Sequence, residues 1–487
     1  MDALRSTGDF VQTTRGEAYF IDKRAEAVTL HGVSVNRTSP FAGTLRRRFG
    51  LNEGAHKSII TGILHETVDE CQAEIPIKFH HFAHYDEERN RVYVDRYDGY
   101  MYVLDGEKIH LHPHGYDKVY FYQNGNSEFP RTFEYVPEYE PGGLDAVILD
   151  GPNYSTQAGD ISRPQIRHLL KTWVASFFFP SRMDTKPIVL IYGAADSGKT
   201  TLFQNLSIMF TGDSTYSVTE IPKDVKEFNV QVTQSSYIFY DNVEVNKKEM
   251  QEKLAQVATG YTVKTRVLFT NNEMLSEKAR CFVGITSRTL DRIQDDVASR
   301  YILIPVHSFD SRNTTRRRAM SEILKEVTTK RDLLWSELLD FVNSIVKEIG
   351  EHGWPESGSQ MRMADYANLL DITCSVAGQS PRRIEKFILD MQSQIVSENE
   401  PMFDAFKALL IKHDFDPTKK YTAKALFDTL NAISRKVGMA YKTSNRFSIA
   451  LKSFIYNGQL ERAGINVEMS QWGNNTVFKI VVDEDEE

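Results

Sequence analysis

Ile188-Val-Leu-Ile-Tyr192-Gly193-Ala-Ala-Asp-Ser-Gly198-Lys199-Thr200 reads as a buried apolar strand, a short glycine-bounded loop and the start of a helix that runs on from Thr201 to Phe210. The loop fits G-x-x-x-x-G-K-[ST] in the strand, loop, helix setting which that pattern requires. Its glycines let the backbone curl so that successive N–H groups point inward, and the helix N-terminus adds positive partial charge at the same place. Such a cradle suits phosphate. Gly193, Ala194, Ala195, Asp196, Ser197, Gly198, Lys199, Thr200 and Thr201 are the expected nucleotide-binding set. Within it Lys199 reaches the β- and γ-phosphates of ATP, and the Thr200 hydroxyl completes the shell of a magnesium ion.

Downstream, Tyr237-Ile-Phe-Tyr240 leads into Asp241, an apolar strand ending in the carboxylate needed to hold magnesium opposite Thr200. A glutamate that orients the attacking water commonly follows such an aspartate. Here Asn242 stands in that place with Glu244 two residues on, so the general base is left open between them. From Pro187 to Phe309 the short apolar runs IVLIYG, YIFYD, ARCFVGIT and YILIPV alternate with helical and turn segments, which predicts an α/β core around a largely parallel sheet.

A chain of 487 residues, 41% hydrophobic and 25% charged, exceeds one compact core and is expected to form a multidomain α/β protein of three or four domains. Residues 1–150 read as an N-terminal α+β module for DNA or a partner, with a helix near Ala55–Cys71 and aromatic strands over Arg91–Leu104. Glu138–Gly151 reads as a boundary or irregular connection. Residues 151–186 form a helical linker or collar, 187–310 the P-loop core, 311–400 a helical region and 401–487 a winged-helix-like domain closed by the acidic tail Asp483–Glu487. Cys71, Cys281 and Cys374 show no paired spacing, which favours a reducing, cytoplasmic setting over a disulfide framework or zinc finger. No leader or membrane-spanning run is read, so a membrane is not an expected partner. With a net charge of −8, nucleic acid must be engaged through local clusters rather than a global field.

The order of elements after Asp241 resembles the superfamily 3 helicases, AAA+-like ring motors of phages, plasmids and other mobile elements. A helix (Lys247–Ala258) leads through Thr259-Gly260 to Val263–Thr270, a turn at Asn271-Asn272 and a return through Ala279 to Ile285. This is similar to the family's DNA-translocating hairpin. Strand alternation puts Lys264, Arg266 and Leu268 on one face, and an Asn-Asn turn suits a hairpin. The resemblance implies a homo-oligomeric ring here too, a hexamer, in which such cations surround single-stranded DNA. The strand Cys281–Ile285 ends at Thr286-Ser287 where the family usually places an asparagine, so Thr286 is the expected γ-phosphate sensor. Asp295–Arg300 followed by Tyr301–Ile304 resembles the segment whose arginine enters the neighbouring subunit's site. Arg300 is the candidate there, with Arg292 or Arg288 as the alternatives. The bland reading is a salt bridge to Asp295 or Asp296.

At the C-terminus, helices over Met402–Lys412, Thr422–Lys436 and Ser444–Tyr456 precede strands near Ile465–Met469 and Val477–Val482, a winged-helix-like order. The third helix carries Asn445, Arg446 and Lys452, with Lys442 just before it, as candidate duplex contacts. Arg46-Arg47-Arg48 and Arg316-Arg317-Arg318 are weaker phosphate candidates. His80, His81, His84, His110, His112 and His114 read as solvated or hydrogen-bonded imidazoles, with zinc as the alternative. The expectation is thus an ATP-dependent helicase. Its competitors are an origin-binding or helicase-loading ATPase without unwinding, and a P-loop ATPase or kinase acting on a small molecule or as a switch.

Overall fold

The computed structural model describes residues 1–24, 28–122, 131–156, 160–213, 218–245, 247–266, 274–279, 281–290, 293–309, 319–356, 358–398, 401–411, 415–456, 460, 464–473 and 475–481. Four runs that are apolar at nearly every position form one all-parallel sheet, in the spatial order Tyr237–Tyr240, Phe282–Ser287, Ile188–Gly193, Tyr301–Val306. Unbroken apolar runs suit a sheet covered on both faces. The helix Lys199–Thr211 lies close on it at Gly284, where an added Cβ would come 2.5 Å from the Phe203 ring.

Around this sheet the helix Arg163–Ala175 starts in a capping box of Ser162 and Gln165 with Pro164 in its first turn, as its sequence invites. The 33-residue helix Met320–His352 clamps the far end of the helix after the loop. Its buried Arg331 donates through Nε to the Met209 carbonyl (2.8 Å) and through Nη1 to that of Thr132 (2.7 Å), and Trp335 Nε1 donates to Met209 (2.8 Å). Helices Ala364–Val376 and Pro381–Glu398 complete the shell, and one buried cluster runs from Phe82 to Ile395. The N-terminal residues add an antiparallel sheet of Gly8–Gln12, Ala18–Asp22 and Thr29–Val33 with helices Pro40–Phe49 and Lys57–Ala73, then a meander of Ala83–Asp86, Arg91–Asp95, Tyr100–Leu104 and Ile109–Pro113. The chain is therefore a multidomain α/β protein with several sheets.

Three local readings differ from the structure. Residues 138–151 contain a buried turn, Asp145–Leu149, whose Val147, Ile148 and Leu149 join the central core. The return arm of the hairpin is Met274–Lys278, paired antiparallel with Thr262–Arg266, and the chain enters the parallel sheet only at Phe282. The single helix expected over Thr422–Lys436 is two, Ala423–Ile433 and Arg435–Tyr441, broken at Ser434 (φ −137°, ψ 110°). There the Asn431 side chain accepts from Gly438 N at 2.9 Å, against a glycine whose Cβ would stand 2.4 Å from that oxygen.

The C-terminal elements have a core of their own, including Phe403, Phe447, Leu451 and Phe478. Helix Pro401–Leu410, a short strand Lys420–Thr422, the two helices just named and Ser444–Tyr456 precede the strands Asn466–Trp472 and Asn475–Val481, which pair with Lys420–Thr422 in one three-stranded antiparallel sheet. Among the described residues no helix is long and apolar enough to cross a membrane.

Candidate active site

All four parallel strands point the same way, so the loops after Ile188–Gly193, Tyr237–Tyr240 and Phe282–Ser287 gather at one edge of the sheet. Such carboxyl edges are where open α/β sheets place ligands. The loop from Gly193 to Gly198 is shaped by left-handed residues at Gly193 (φ 136°), Asp196 (φ 57°) and Gly198 (φ 84°). The two glycines are also sterically required: a Cβ on Gly193 would lie 2.1 Å from the Val306 carbonyl oxygen, and one on Gly198 would lie 2.8 Å from that of Gly151. Ala194, Ala195 and Asp196 are exposed, whereas Ser197 is buried. Lys199 is buried at the first turn of its helix, and its Nζ donates to the carbonyls of Gly193 (2.9 Å) and Ala194 (2.5 Å) and to Ser197 Oγ (3.1 Å). Burial lowers its pKa most; Asp241 opposes that shift and the charge of Arg288 adds to it.

Asp241 is the hub. Its Oδ1 accepts from the Thr200 hydroxyl at 2.9 Å and from the Thr286 hydroxyl, and Thr286 Oγ1 in turn accepts from the backbone N–H of Asn242 at 2.8 Å. Three residues placed 40 to 90 positions apart by sequence reading alone, Thr200, Asp241 and Thr286, are thus brought onto one carboxylate oxygen. Asn242 has φ 50°, a left-handed conformation that asparagine tolerates better than glutamate does, which is a local physical reason for the residue found there. Val243 N donates to the Thr286 carbonyl at 2.8 Å, turning the chain away from the hub. Glu244 is exposed and ion-paired with Lys247, whose hydrogen bond holds the carboxyl below its usual range.

Sequence reading missed the segment Gly151–Ser155, which forms one wall of the loop. Asn153 N donates to the Ser197 carbonyl (3.0 Å), Ser155 N to that of Pro305 (2.9 Å), and His307 N to that of Asn153 (2.9 Å). Arg163 ties the wall down, reaching the Asp150 carboxylate (2.6 Å) and the carbonyls of Asp150 (2.8 Å) and Pro152 (3.1 Å). The Gly-Pro pair in this stretch was the available signal.

Arg300 and Arg288 occupy opposite edges of the sheet. Arg300 precedes the strand Tyr301–Val306, at the edge away from its own loop, which puts it about 20 Å off at ~3.3 Å per residue. Its side chain is nearly buried and donates through Nη1 to the Asp296 carbonyl (2.6 Å) and carboxylate (3.4 Å), so the bland ion pair is present. Its Nε has no partner among the described residues. Arg288 is exposed just beyond Thr286, at the same edge as Lys199, with the turn after it held by Ser287 Oγ on the carbonyls of Val243 and Thr289 (both 2.9 Å). Arg292 lies outside the described residues.

Of the expected DNA contacts, Lys264 and Arg266 lie on the strand Thr262–Arg266, in register with Ser276 and Met274. Asn271 and Asn272 lie outside the described residues. Lys442 and Arg446 are exposed and Lys452 half-buried around the helix Ser444–Tyr456. Arg46 pairs with Glu53, and Arg48 donates to Thr7 Oγ1 (2.6 Å), so that cluster is partly engaged within the module; Arg316–Arg318 lie outside the described residues. His110 pairs with Asp105 (3.3 Å), His112 stacks on Tyr116 (3.8 Å between centroids), and buried His114 bonds Asp95 (3.2 Å), each with its own partner.

No family model and no curated protein matches the chain. Among solved structures, the chain is similar to one described as the A form apo structure of the NrS-1 C terminal region, at 11% identity and a TM-score of 0.41 over 99% of this chain and 98% of that one. A second, described as the apo structure of the NrS-1 C terminal region (305-718), gives 12% identity and a TM-score of 0.41 over 99% and 97%. At these values the likeness carries no argument about activity.

Proposed function

We propose that this chain is an ATP-driven DNA helicase of the superfamily 3 type, working as a ring in the replication of a phage or mobile element. The observation that carries the reading is the convergence of Thr200 and Thr286 on Asp241 beside the Lys199 loop. A hydroxyl and a carboxylate oxygen 2.9 Å apart are hard oxygen donors on facing elements, which fits magnesium. When bound there, magnesium would neutralise charge on the β- and γ-phosphate oxygens. The inward N–H groups of Gly193–Thr200 bind the phosphates, Lys199 leaves its loop carbonyls for them, and Thr286 couples the hub to the strand behind it. Arg300 lies too far from its own loop to serve it, so its use requires a neighbouring subunit's site. Lys264 and Arg266 grip single-stranded DNA in the channel, and the C-terminal helix bearing Arg446 and Lys452 engages duplex.

Two expected outcomes follow from these roles. Lys264→Ala/Arg266→Ala should keep basal ATP hydrolysis within about twofold yet lose its stimulation by single-stranded DNA, with a shallower salt dependence of binding. A small-molecule ATPase shows no such stimulation in the wild type, which would overturn the reading. Arg300→Ala and Lys199→Ala chains, each nearly inactive alone, should regain measurable hydrolysis when mixed, because a mixed interface reunites an intact loop with an intact arginine. No recovery on mixing would place the arginine outside the neighbour's site.

A further inference from the structure

The last two strands form a ribbon with strict antiparallel register, from Asn466↔Val481 to Trp472↔Asn475. Seven-residue strands extend about 23 Å at ~3.3 Å per residue, and the ribbon is closed by a turn beginning at Gly473 (φ 60°). At its end Trp472 is 72% exposed. Of the other three tryptophans, Trp173 and Trp335 are fully buried, and Trp354 is half-buried against Tyr85 and Phe179. The indole is carried by a residue that pairs in the ladder, Trp472↔Asn475, so displaying it costs little ordering when something covers it.

The surroundings of the indole narrow what that something is. Gln471 beside it donates to Thr476 Oγ1 (3.4 Å), and Gln471 and Gly473 are themselves exposed, so its described chain neighbours offer no apolar side chain. Protein partners bind contiguous apolar patches, and among the described residues of the tip Trp472 has no exposed apolar chain neighbour. One nucleobase needs only one ring face, and stacking tolerates any base. The same unit presents Lys442 and Arg446 to solvent on and beside the helix Ser444–Tyr456, whose Phe447 and Leu451 share a core with Phe478 and Ile480 of the ribbon. Cations for a phosphate backbone and an aromatic plane for a base therefore sit on one folded unit.

We infer that Trp472 is a stacking platform for an unpaired nucleobase of single-stranded or forked DNA. The inference rests on the reading that DNA is the partner, not on ATP hydrolysis. The ring inserts its face against the exposed base while Lys442 and Arg446 hold the backbone, and a fully paired blunt duplex offers it no free base except at its ends.

The chain carries its own reporter, since Trp472 is the most exposed of the four tryptophans and the emission lost in Trp472→Ala is its own iodide-accessible part. The full-length protein is titrated without nucleotide against a dye-labelled oligothymidine, a forked duplex and a long blunt duplex, following both dye anisotropy and tryptophan emission. The expected result is quenching of the iodide-accessible emission by the oligothymidine and the fork, and little by the blunt duplex. Trp472→Ala should lose that component and bind the fork about tenfold more weakly, while Trp472→Phe keeps most of the affinity. Binding seen by anisotropy with unchanged emission, or a Trp472→Ala variant of undiminished affinity, overturns the stacking role alone. No anisotropy change with any DNA overturns it together with the DNA reading, and a change in sedimentation of Trp472→Ala without an effect on DNA assigns the tip to protein contact instead.

Discussion

Asp241→Asn is expected to reduce ATP turnover by about 10²- to 10³-fold, the loss typical of removing one electrostatic contact at a reacting centre. Asparagine keeps the size of the side chain and one acceptor oxygen, so both the Thr200 and the Thr286 hydroxyls retain a partner. What disappears is the negative charge that fits the hub for magnesium. The folded chain should therefore melt within about 1 kcal/mol of wild type, because only the charge on two hydrogen bonds has changed. Steady-state hydrolysis with saturating magnesium, read beside a denaturation curve, separates the two effects. A variant that hydrolyses ATP normally would remove Asp241 from the site. Thr286→Val should be milder in turnover but less well folded, since it deprives the Asn242 N–H of its acceptor.

Gly198→Ala is expected to damage both the fold of the loop and its binding of nucleotide. The new Cβ would meet the Gly151 carbonyl oxygen at 2.8 Å and Pro152 Cα at 3.0 Å, both backbone, and would impose an alanine at φ 84°. Left-handed strain costs about 1–2 kcal/mol and overpacking typically a further 1–3. The wall Gly151–Ser155 must then move, which also misplaces Ser197 through its bond with Asn153. Loss of nucleotide binding should accompany a drop in stability of roughly 2–5 kcal/mol, the sum of those strain and packing costs. Gly16→Ala is the control: its φ is 80° but no atom lies within 4 Å of the new Cβ, so only the strain is added. Equal melting of the two variants would show that the contact with Gly151 is not what the loop depends on.

What could be read from the chain alone divides along a physical line. Ile188–Gly193, Tyr237–Tyr240 and Phe282–Ser287 were legible because a buried parallel strand writes itself as a continuous apolar run, and Asp241 and Thr286 stood out as the polar residues ending two of them. That both would share an oxygen with Thr200 depends on the register of strands far apart in sequence, which no local pattern records. The Gly151–Ser155 wall falls within the stretch expected to be a helical linker or collar, and its role escapes for the same reason. Its bonds go to Ser197, Pro305 and His307, and locally it shows only a glycine and a proline. Asn242 looked like a departure from an expected glutamate until its left-handed φ gave the residue a backbone reason. The break at Ser434 escaped because it is made by an Asn431 side chain closing on Gly438, a seven-residue contact within an otherwise helical composition. The lone strand Lys420–Thr422, at three residues, is too short for periodicity to register.

Arg300 illustrates the opposite case, in which the position was legible and the environment was not. Its place before a strand is legible in the sequence, and the structure adds that it lies on Asp296, its Nε unpartnered among the described residues, at the edge away from its own Lys199. Arg288, held as the alternative, proves to share the edge with Lys199 and to press on its charge. The two arginines are therefore not interchangeable: one can serve only another chain's site, while the other stands beside its own.

The central claim, that the hub around Asp241 powers a DNA motor, is tested most directly by strand displacement with purified protein on forked and tailed substrates, with Lys199→Ala alongside. Displacement that requires ATP and magnesium is expected in the wild type and none in the variant. Wild-type protein that hydrolyses ATP yet displaces no strand on any of these substrates would contradict it.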